Sequence, residues 1–417
     1  MAQLSDDCFA HGGRLLSVDE ALALLESRVA CVTEAETVPL TAALERILAA
    51  DVVAARSVPP YDNSAVDGYA IAFDDLRPAG ETRLRVAGRA AAGHPLGRPL
   101  ARGEAVRIFT GAEMPEGADT VMMQEDCRSE GGTVVIAPGI RRGANRRKTG
   151  EDVKAGAVIL SAGRRLRPQD LGLAASVGCT ALALQKALRV ALFSTGDELR
   201  EPGQATPPGT VYDANRFTLA ALLQRLGCAV SDLGILPDRP AVVAQALAEA
   251  AHGHDAIITS GGVSTGEEDH VRAALETLGS LHFWRLAIKP GRPLAFGQIG
   301  GKAFLGLPGN PVAMMVTFLR FARPLLLRMM GCSETAPMLY RVRADFEHRK
   351  KDGRREWVRA RLVPDGAGGI VARKFPREGA GILSSMVEAD GLAELPESLT
   401  HLERGSMVDF LPFSEVS

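Results

Sequence analysis

The stretch RVALFSTGDELREPG, residues 189–203, reads as an apolar strand released into a glycine turn that presents two carboxylates, Asp197 and Glu198. Three later segments repeat the plan. One apolar run ends in LPDRP with Asp238, a second ends in TSGGVSTGEED with Asp269, and a third ends in LGLPGNP. Strands alternating with amphipathic helices build a parallel sheet, and loops leaving the carboxyl ends of such strands line one crevice. Residues 188–193, 229–233 and 255–259 read as strands, and 215–226 as a helix with Asp213 or Ala214 at its start and Gly227 past its end. A further helix opens at Pro240. Any one loop alone is an ordinary turn, since Gly and Asp suit turns, but four on one plan point to a shared ligand.

Working outward, 417 residues exceed a single compact core. Ser17 and Glu20 have capping-box spacing before ALALLESRVA, and Thr41 opens TAALERILA, so the first sixty residues are predicted to hold mainly two helices. Short β-like runs such as AVRIF and DTVMMQ then alternate with Gly and Pro. RPQDLGLAASVG, residues 167–178, returns to helical periodicity and is expected to pack with the amino-terminal helices. YRVRADF, EWVRARLV, GGIVARKF and SMVDFLPF close the chain as strands. The expected fold is multidomain α/β and β. It has a discontinuous helical domain (1–60 and 139–186), an inserted β module (61–138), a central α/β domain with a mainly parallel sheet (187–331) and a C-terminal β-barrel (332–417).

A formal charge of −2, from 48 basic and 50 acidic residues, lacks the broad positive footprint of a nucleic-acid binder. The basic run RRGANRRKTGED has no interleaved aromatics and reads as a solvated connection carrying Glu151 and Asp152. Six cysteines without C-x-x-C spacing indicate neither a zinc site nor a redox pair. The start MAQLSDDCFAHGG lacks the basic and apolar regions of a signal peptide. The longest greasy stretch, 312–330, is broken by Arg320, Arg323 and Arg328, so a packed helix is expected and no membrane span. A cytoplasmic protein follows.

PPYDNSAVDGYA sets Asp62 and Asp67 in a turn-prone stretch, where Asx bonding to the local backbone explains Asp62 and Asn63 well and Asp67 less so. The segments DNSAVDGYA, FTGAEMPEGADTVMMQED, GEDVKAG, ALFSTGDEL, TSGGVSTGEED, AIKPGRP and GLPGNPV occur in the order found in the MoeA family, the molybdopterin molybdenumtransferases. The resemblance covers nearly the whole chain. It implies insertion of molybdate into adenylylated molybdopterin with release of AMP, a requirement for Mg2+, and a central domain of the molybdopterin-binding type. It also implies a homodimer with a site shared between subunits, and transient contacts with molybdopterin adenylyltransferase and molybdoenzyme maturation proteins. A scaffold of the gephyrin type and a molybdopterin adenylyltransferase are the alternative readings.

Carried over position by position, the resemblance assigns functional acids to Asp67, Asp152, Glu198, Asp238 and Asp269, with Thr110 in the TGA motif and Lys289 in the KPG turn. Arg285 and Arg292 stand where relatives often carry lysine. A bare carboxylate about 4 Å from a phosphate oxygen costs on the order of 4 kcal/mol at an effective dielectric near 20, so acids around a pyrophosphate need a cation. Asp238 and Asp269 are assigned to that metal, Asp269 being compatible with a helix cap as well. Gly261, Gly262, Ser264 and Gly266 offer a loop for phosphate. Thr195, Gly196, Asp197 and Glu198 suit ribose or pterin contacts or a second cation, and Pro308, Gly309 and Pro311 shape a rigid strand-to-helix turn. Lys289, Arg292 and Arg285 are expected around molybdate, with Ser385 of the ILSSM segment and Arg359 as further oxyanion ligands.

Overall fold

The faces of the strand Arg189–Thr195 explain the centre of the molecule. Val190 and Leu192 point into one apolar cluster with Leu219 and Leu223, whereas Ala191 and Phe193 point into another with Val243 and Leu247. Period-two alternation with both faces apolar is what a sheet covered by helices on both sides requires. The covering helices are Ala214–Leu226 and Pro240–Gly253. Asp213 caps the first through its side chain onto the Arg216 N–H, and Gly227 closes it at φ 92°. The structure, a computed structural model, describes residues 15–237, 239–261, 270–291 and 294–416.

The central sheet runs in the order Ala229–Leu236, Arg189–Thr195, Ala256–Ser260, Lys302–Leu307, Leu294–Ile299, Gly279–Trp284. The first four strands are parallel, and the last two add an antiparallel edge. The chain leaves Arg189–Thr195 to one side and returns on the other, so a topological switch point lies at its carboxyl end. The greasy stretch becomes Pro311–Thr317, a π turn Phe318–Ala322 and Arg323–Met329, packed nearly all round. Arg320 is buried over the Trp357 ring and pairs with Glu394, and Arg323 donates to the carbonyls of Thr335 and Glu415. No helix among the described residues is long and apolar enough to cross a membrane.

Five strands close a barrel near the chain's end: Arg355–Pro364, Ile370–Lys374, Tyr340–Ala344, Met407–Pro412 and Gly391–Leu395, the last pairing back onto the first. A sixth strand, Ile288–Lys289, comes from the α/β region and pairs with Arg355–Glu356. Residues 68–136 hold a separate six-stranded sheet.

The first region is discontinuous, since Ala35–Pro39 pairs with Ala181–Gln185 and Val52–Val53 with Val158–Leu160. The expected capping box of Ser17 and Glu20 heads the helix Val18–Arg28, and a second expected helix occupies Pro168–Ser176. TAALERILA departs from expectation. It makes one 3-10 turn, Leu40–Ala42, turns again with Glu45 at φ 64°, and then forms single bridges at Ile47 and Leu48. Its backbone groups go to distant partners instead: Glu45 N–H to Leu166 O, Leu48 N–H to Arg164 O, and Ile47 O from Gln185 N–H. Ala43 and Leu48 are buried beside Leu166 and Leu184, so an apolar spacing that resembles a helix serves cross-strand packing.

Candidate functional site

The carboxyl ends of the parallel strands carry the loops singled out in the sequence. Thr195 is buried at the end of its strand, while Asp197 and Glu198 are exposed beyond it. The Glu198 carboxylate folds over Gly196, where an added Cβ would lie 2.4 Å from Oε2. The loop is pinned by Arg216, a buried guanidinium on the covering helix that binds Asp213, Glu201 and Asp232. Burial disfavours its charge, but these carboxylates outweigh the penalty and hold its pKa above the ordinary value. Two neighbouring loops are laced together by Asn215: its Nδ2 donates to Ser260 Oγ (2.8 Å) and Gly309 O (2.7 Å), and Ser260 Oγ donates to Pro308 O (3.3 Å). Gly261 N–H bonds Leu307 O at 2.9 Å. Thr195, Gly261, Pro308 and Gly309 therefore sit on adjacent strand ends, as the sequence implied, and Pro311 is the first residue of the following helix.

On the other side of the 308–311 turn, a cavity of about 280 Å3 opens between the α/β region and the barrel. Lys289, Pro308 and Arg359 line it, together with His348, Glu356, Lys374, Arg377 and Glu378. Lys289 arrives there because its short strand joins the barrel sheet beside Glu356. Lys289 Nζ donates to Glu356 Oε2 at 3.2 Å; Glu356, only 2% exposed, also faces His348 Nε2 at 3.2 Å and Arg354 at 3.4 Å. Arg359 is buried, which pushes its pKa down, and its Nε donates to Ser385 Oγ at 3.0 Å while one terminal nitrogen donates to Arg377 O and Gly379 O. Ser385 is fully buried and its own hydroxyl donates a hydrogen bond to Ile382 O at 2.5 Å. It orients Arg359 from behind the cavity wall. Four cationic side chains against two carboxylates leave the lining with two positive charges in excess, which suits a dianion.

Asp67 and Thr110 meet on the inserted sheet. The Thr110 N–H and Oγ1 both donate to Asp67 Oδ1 at 2.8 Å, and these bonds hold the Asp67 carboxyl below the usual carboxylate range. Asp62 is fixed in the same manner by Thr149, from its N–H (2.7 Å) and Oγ1 (2.9 Å). That bond clips residues 149–153 onto 58–62, a tie across the chain in place of the local Asx turn expected from sequence. Asp152 is exposed on this clip, its N–H bonded to Val58 O. Arg285 is exposed outside the cavity lining, and its carbonyl accepts from Leu16 N–H.

Asp238, Gly262, Ser264, Gly266, Asp269 and Arg292 lie outside the described residues. Among the described residues no cluster of three His, Cys, Asp or Glu side chains is placed to hold a metal. Asp197 and Glu198 nevertheless offer exposed oxygen donors at the switch point, the donor type a magnesium ion takes. Sequence reading missed Asn215, His348, Glu356, Lys374, Arg377 and Glu378. The one signal for Glu356 was a carboxylate within the apolar strand run EWVRARL.

Three family models match in order: the MoeA N-terminal region (domains I and II) over residues 16–178, a probable molybdopterin binding domain over 191–328, and the MoeA C-terminal region (domain IV) over 341–413. The chain belongs to the MoeA family. A molybdopterin molybdenumtransferase of Haemophilus influenzae is 38% identical over 404 residues, 96% of this chain and all of the relative. One from Nostoc is 36% identical across 90% of this chain and 88% of its own length. Gephyrin of Dictyostelium discoideum is 31% identical across 94% of this chain, which spans 61% of that protein. Among solved structures, a molybdopterin biosynthesis MoeA protein of Pyrococcus horikoshii superposes with a TM-score of 0.83 at 29% identity, covering 96% of this chain and 100% of the other. Membership in the MoeA family makes the chain an enzyme, a transferase of molybdenum cofactor biosynthesis.

Proposed function

We propose that this chain inserts molybdate into the dithiolene of adenylylated molybdopterin with release of AMP, in a Mg2+-dependent reaction. The observation that carries the reading is the cavity beside the 308–311 turn, with its two surplus positive charges and its wall continuous with the strand-end loops. Molybdate is a doubly charged tetrahedral oxyanion. Lys289 and Arg359, both lining the cavity, hold it, the one fixed by Glu356 and the other by Ser385. The nucleotide and pterin lie over Thr195, Gly261 and Gly309, where backbone can approach closely, with the Gly196–Glu198 turn at the rim.

When bound, Mg2+ supplies neutralising charge between these carboxylates and the phosphate oxygens and polarises the phosphorus. Asp238, Asp269 and Glu198 would hold it. Water adds to phosphorus as the phosphoanhydride bond of the adenylylated pterin breaks and AMP leaves; the two dithiolene thiols give their protons to one molybdate oxygen, which departs as water as molybdenum takes up the two sulfurs. The protein's contribution is positioning and charge.

The acids Asp67 and Asp152 belong to the second half of a site shared across a homodimer. Supporting this, neither Asp67 nor Asp152 is among the residues that line the cavity between the α/β region and the barrel. The enzyme works in the cytoplasm, receiving substrate from a molybdopterin adenylyltransferase and passing product to molybdoenzyme maturation proteins. Its near-neutral charge suits such transient contacts and not nucleic acid.

The test is direct. Purified protein is incubated with adenylylated molybdopterin, Mg2+ and molybdate, and AMP and pterin-bound molybdenum are measured together. Stoichiometric appearance of both, abolished by omitting Mg2+, is expected. AMP release without molybdenum uptake would overturn the transferase chemistry in favour of simple hydrolysis.

A further inference from the structure

Five charged or titratable side chains of the cavity lining form one connected run. Lys374 Nζ sits 3.0 Å from His348 Nδ1 and 2.5 Å from Glu378 Oε1, and His348 Nε2 sits 3.2 Å from Glu356 Oε2, which accepts Lys289 Nζ. Arg354 approaches Glu356 at 3.4 Å, and Glu378 stands 3.9 Å from His348 Nδ1. An ammonium has three donors and no lone pair, so Lys374, paired with Glu378, donates to Nδ1. A nitrogen that accepts carries no proton. His348 is therefore the neutral tautomer with its proton on Nε2, and that proton is donated to Glu356. The run of hydrogen bonds reads Lys374 to His348 to Glu356, with Lys289 donating from the far side.

The arrangement is buried where it matters. His348 and Glu356 are 6% and 2% exposed, so both are held in one geometry, whereas Lys289 is about half exposed and has no other described carboxylate within ion-pair reach. A flexible four-carbon ammonium stays at the cavity wall only if its acceptor is fixed. Glu356 is fixed by the imidazole, and the imidazole by Lys374.

We propose that His348 is a positioning residue for the oxyanion site: as the Nε2–H tautomer it orients Glu356, which sets Lys289, while its Nδ1 sets Lys374. The inference rests on the molybdate assignment above. It deepens that reading by naming the group that aligns the two lysines, and the neutrality of His348 keeps the surplus charge of the cavity at two.

The experiment uses the full chain and molybdate as the probe, with equilibrium dialysis for Kd and steady-state assays for the molybdate and pterin KM. His348→Leu removes both hydrogen bonds at similar volume, and should raise the molybdate Kd and KM about tenfold while leaving the pterin KM unchanged. His348→Gln keeps an N–H for Glu356 and an oxygen for Lys374, and should restore molybdate binding to within about threefold of the parent. In a Lys289→Met background the His348→Leu effect should shrink to about threefold or less, because the group it acts through is gone. An unchanged Kd in His348→Leu, a Gln variant as weak as Leu, or additive effects with Lys289→Met would each overturn the positioning role. If Lys289→Met and Arg359→Gln also bind molybdate like the parent, the oxyanion assignment itself falls and the positioning role with it. Should His348→Leu fail to fold, Glu356→Gln tests the same link, with the same loss of molybdate affinity expected and parental affinity refuting it.

Discussion

Gly291→Ala tests whether the KPG turn is held by backbone shape. Gly291 lies at φ 108°, in the region L-residues rarely adopt, and an added Cβ would stand 2.6 Å from Thr317 Oγ1 and 3.4 Å from Ile288 Cδ1. Thr317 has little room to retreat, because it is fully buried and its hydroxyl donates to Ala313 O at 2.7 Å. The left-handed backbone costs about 1–2 kcal/mol and the overlap about 1–3 kcal/mol, so a loss of roughly 2–5 kcal/mol is expected. Urea unfolding with an unchanged m-value reads that loss as a lower midpoint. Thr317→Ala removes the obstructing hydroxyl, and the double variant should be more stable than the sum of the singles by about 1 kcal/mol or more. Molybdate affinity should fall in Gly291→Ala as well, since Lys289 lies two residues upstream. A single variant within about 0.5 kcal/mol of the parent, or strict additivity in the double, would refute the reasoning.

Asp170 is buried under Arg164 (2.9 Å) and Arg167 (3.2 Å); burial pushes its carboxyl up, but these donors bring it down to about 2 from 3.8. A folded pKa below the unfolded one contributes stability that is present above pH 4 and lost as pH falls toward about 2, here about 2 kcal/mol. Unfolding free energies at pH 6 and pH 3 should differ less in Asp170→Asn than in the parent, and an identical difference would sink the assignment. Mixing Asp67→Ala with Asp269→Ala subunits should recover part of the activity if each dimer retains one intact shared site, and verified heterodimers without recovery would count against sharing. Asn215→Ala should weaken pterin binding about tenfold through the loss of two loop-lacing bonds, with the molybdate Kd unaffected; equal loss for both ligands would show that the loops are not separately anchored.

Local chemistry made much of this architecture legible. The Ser17–Glu20 capping box, the Asp213 start and Gly227 end of one helix, and the apolar strands read at 188–193, at 255–259 and before LPGNP follow from short-range pattern, and each is observed, the strands at 189–195, 256–260 and 302–307. So is the convergence of Thr195, Gly261 and Gly309, because a parallel sheet delivers every strand end to one edge. TAALERILA shows where periodicity misleads: its apolar spacing fits a helix, yet partners more than a hundred residues away take its backbone groups. The cavity was illegible for the same reason. It forms because Ile288–Lys289 pairs with Arg355–Glu356 across some sixty-seven residues and sets a lysine of one region against a carboxylate, an imidazole and two arginines of another. Residue type and spacing fix the local element and the chemistry a side chain carries. Which charges share a wall depends on long-range pairing, whose free energy comes from burial spread over the whole core and leaves no mark in any short window of sequence.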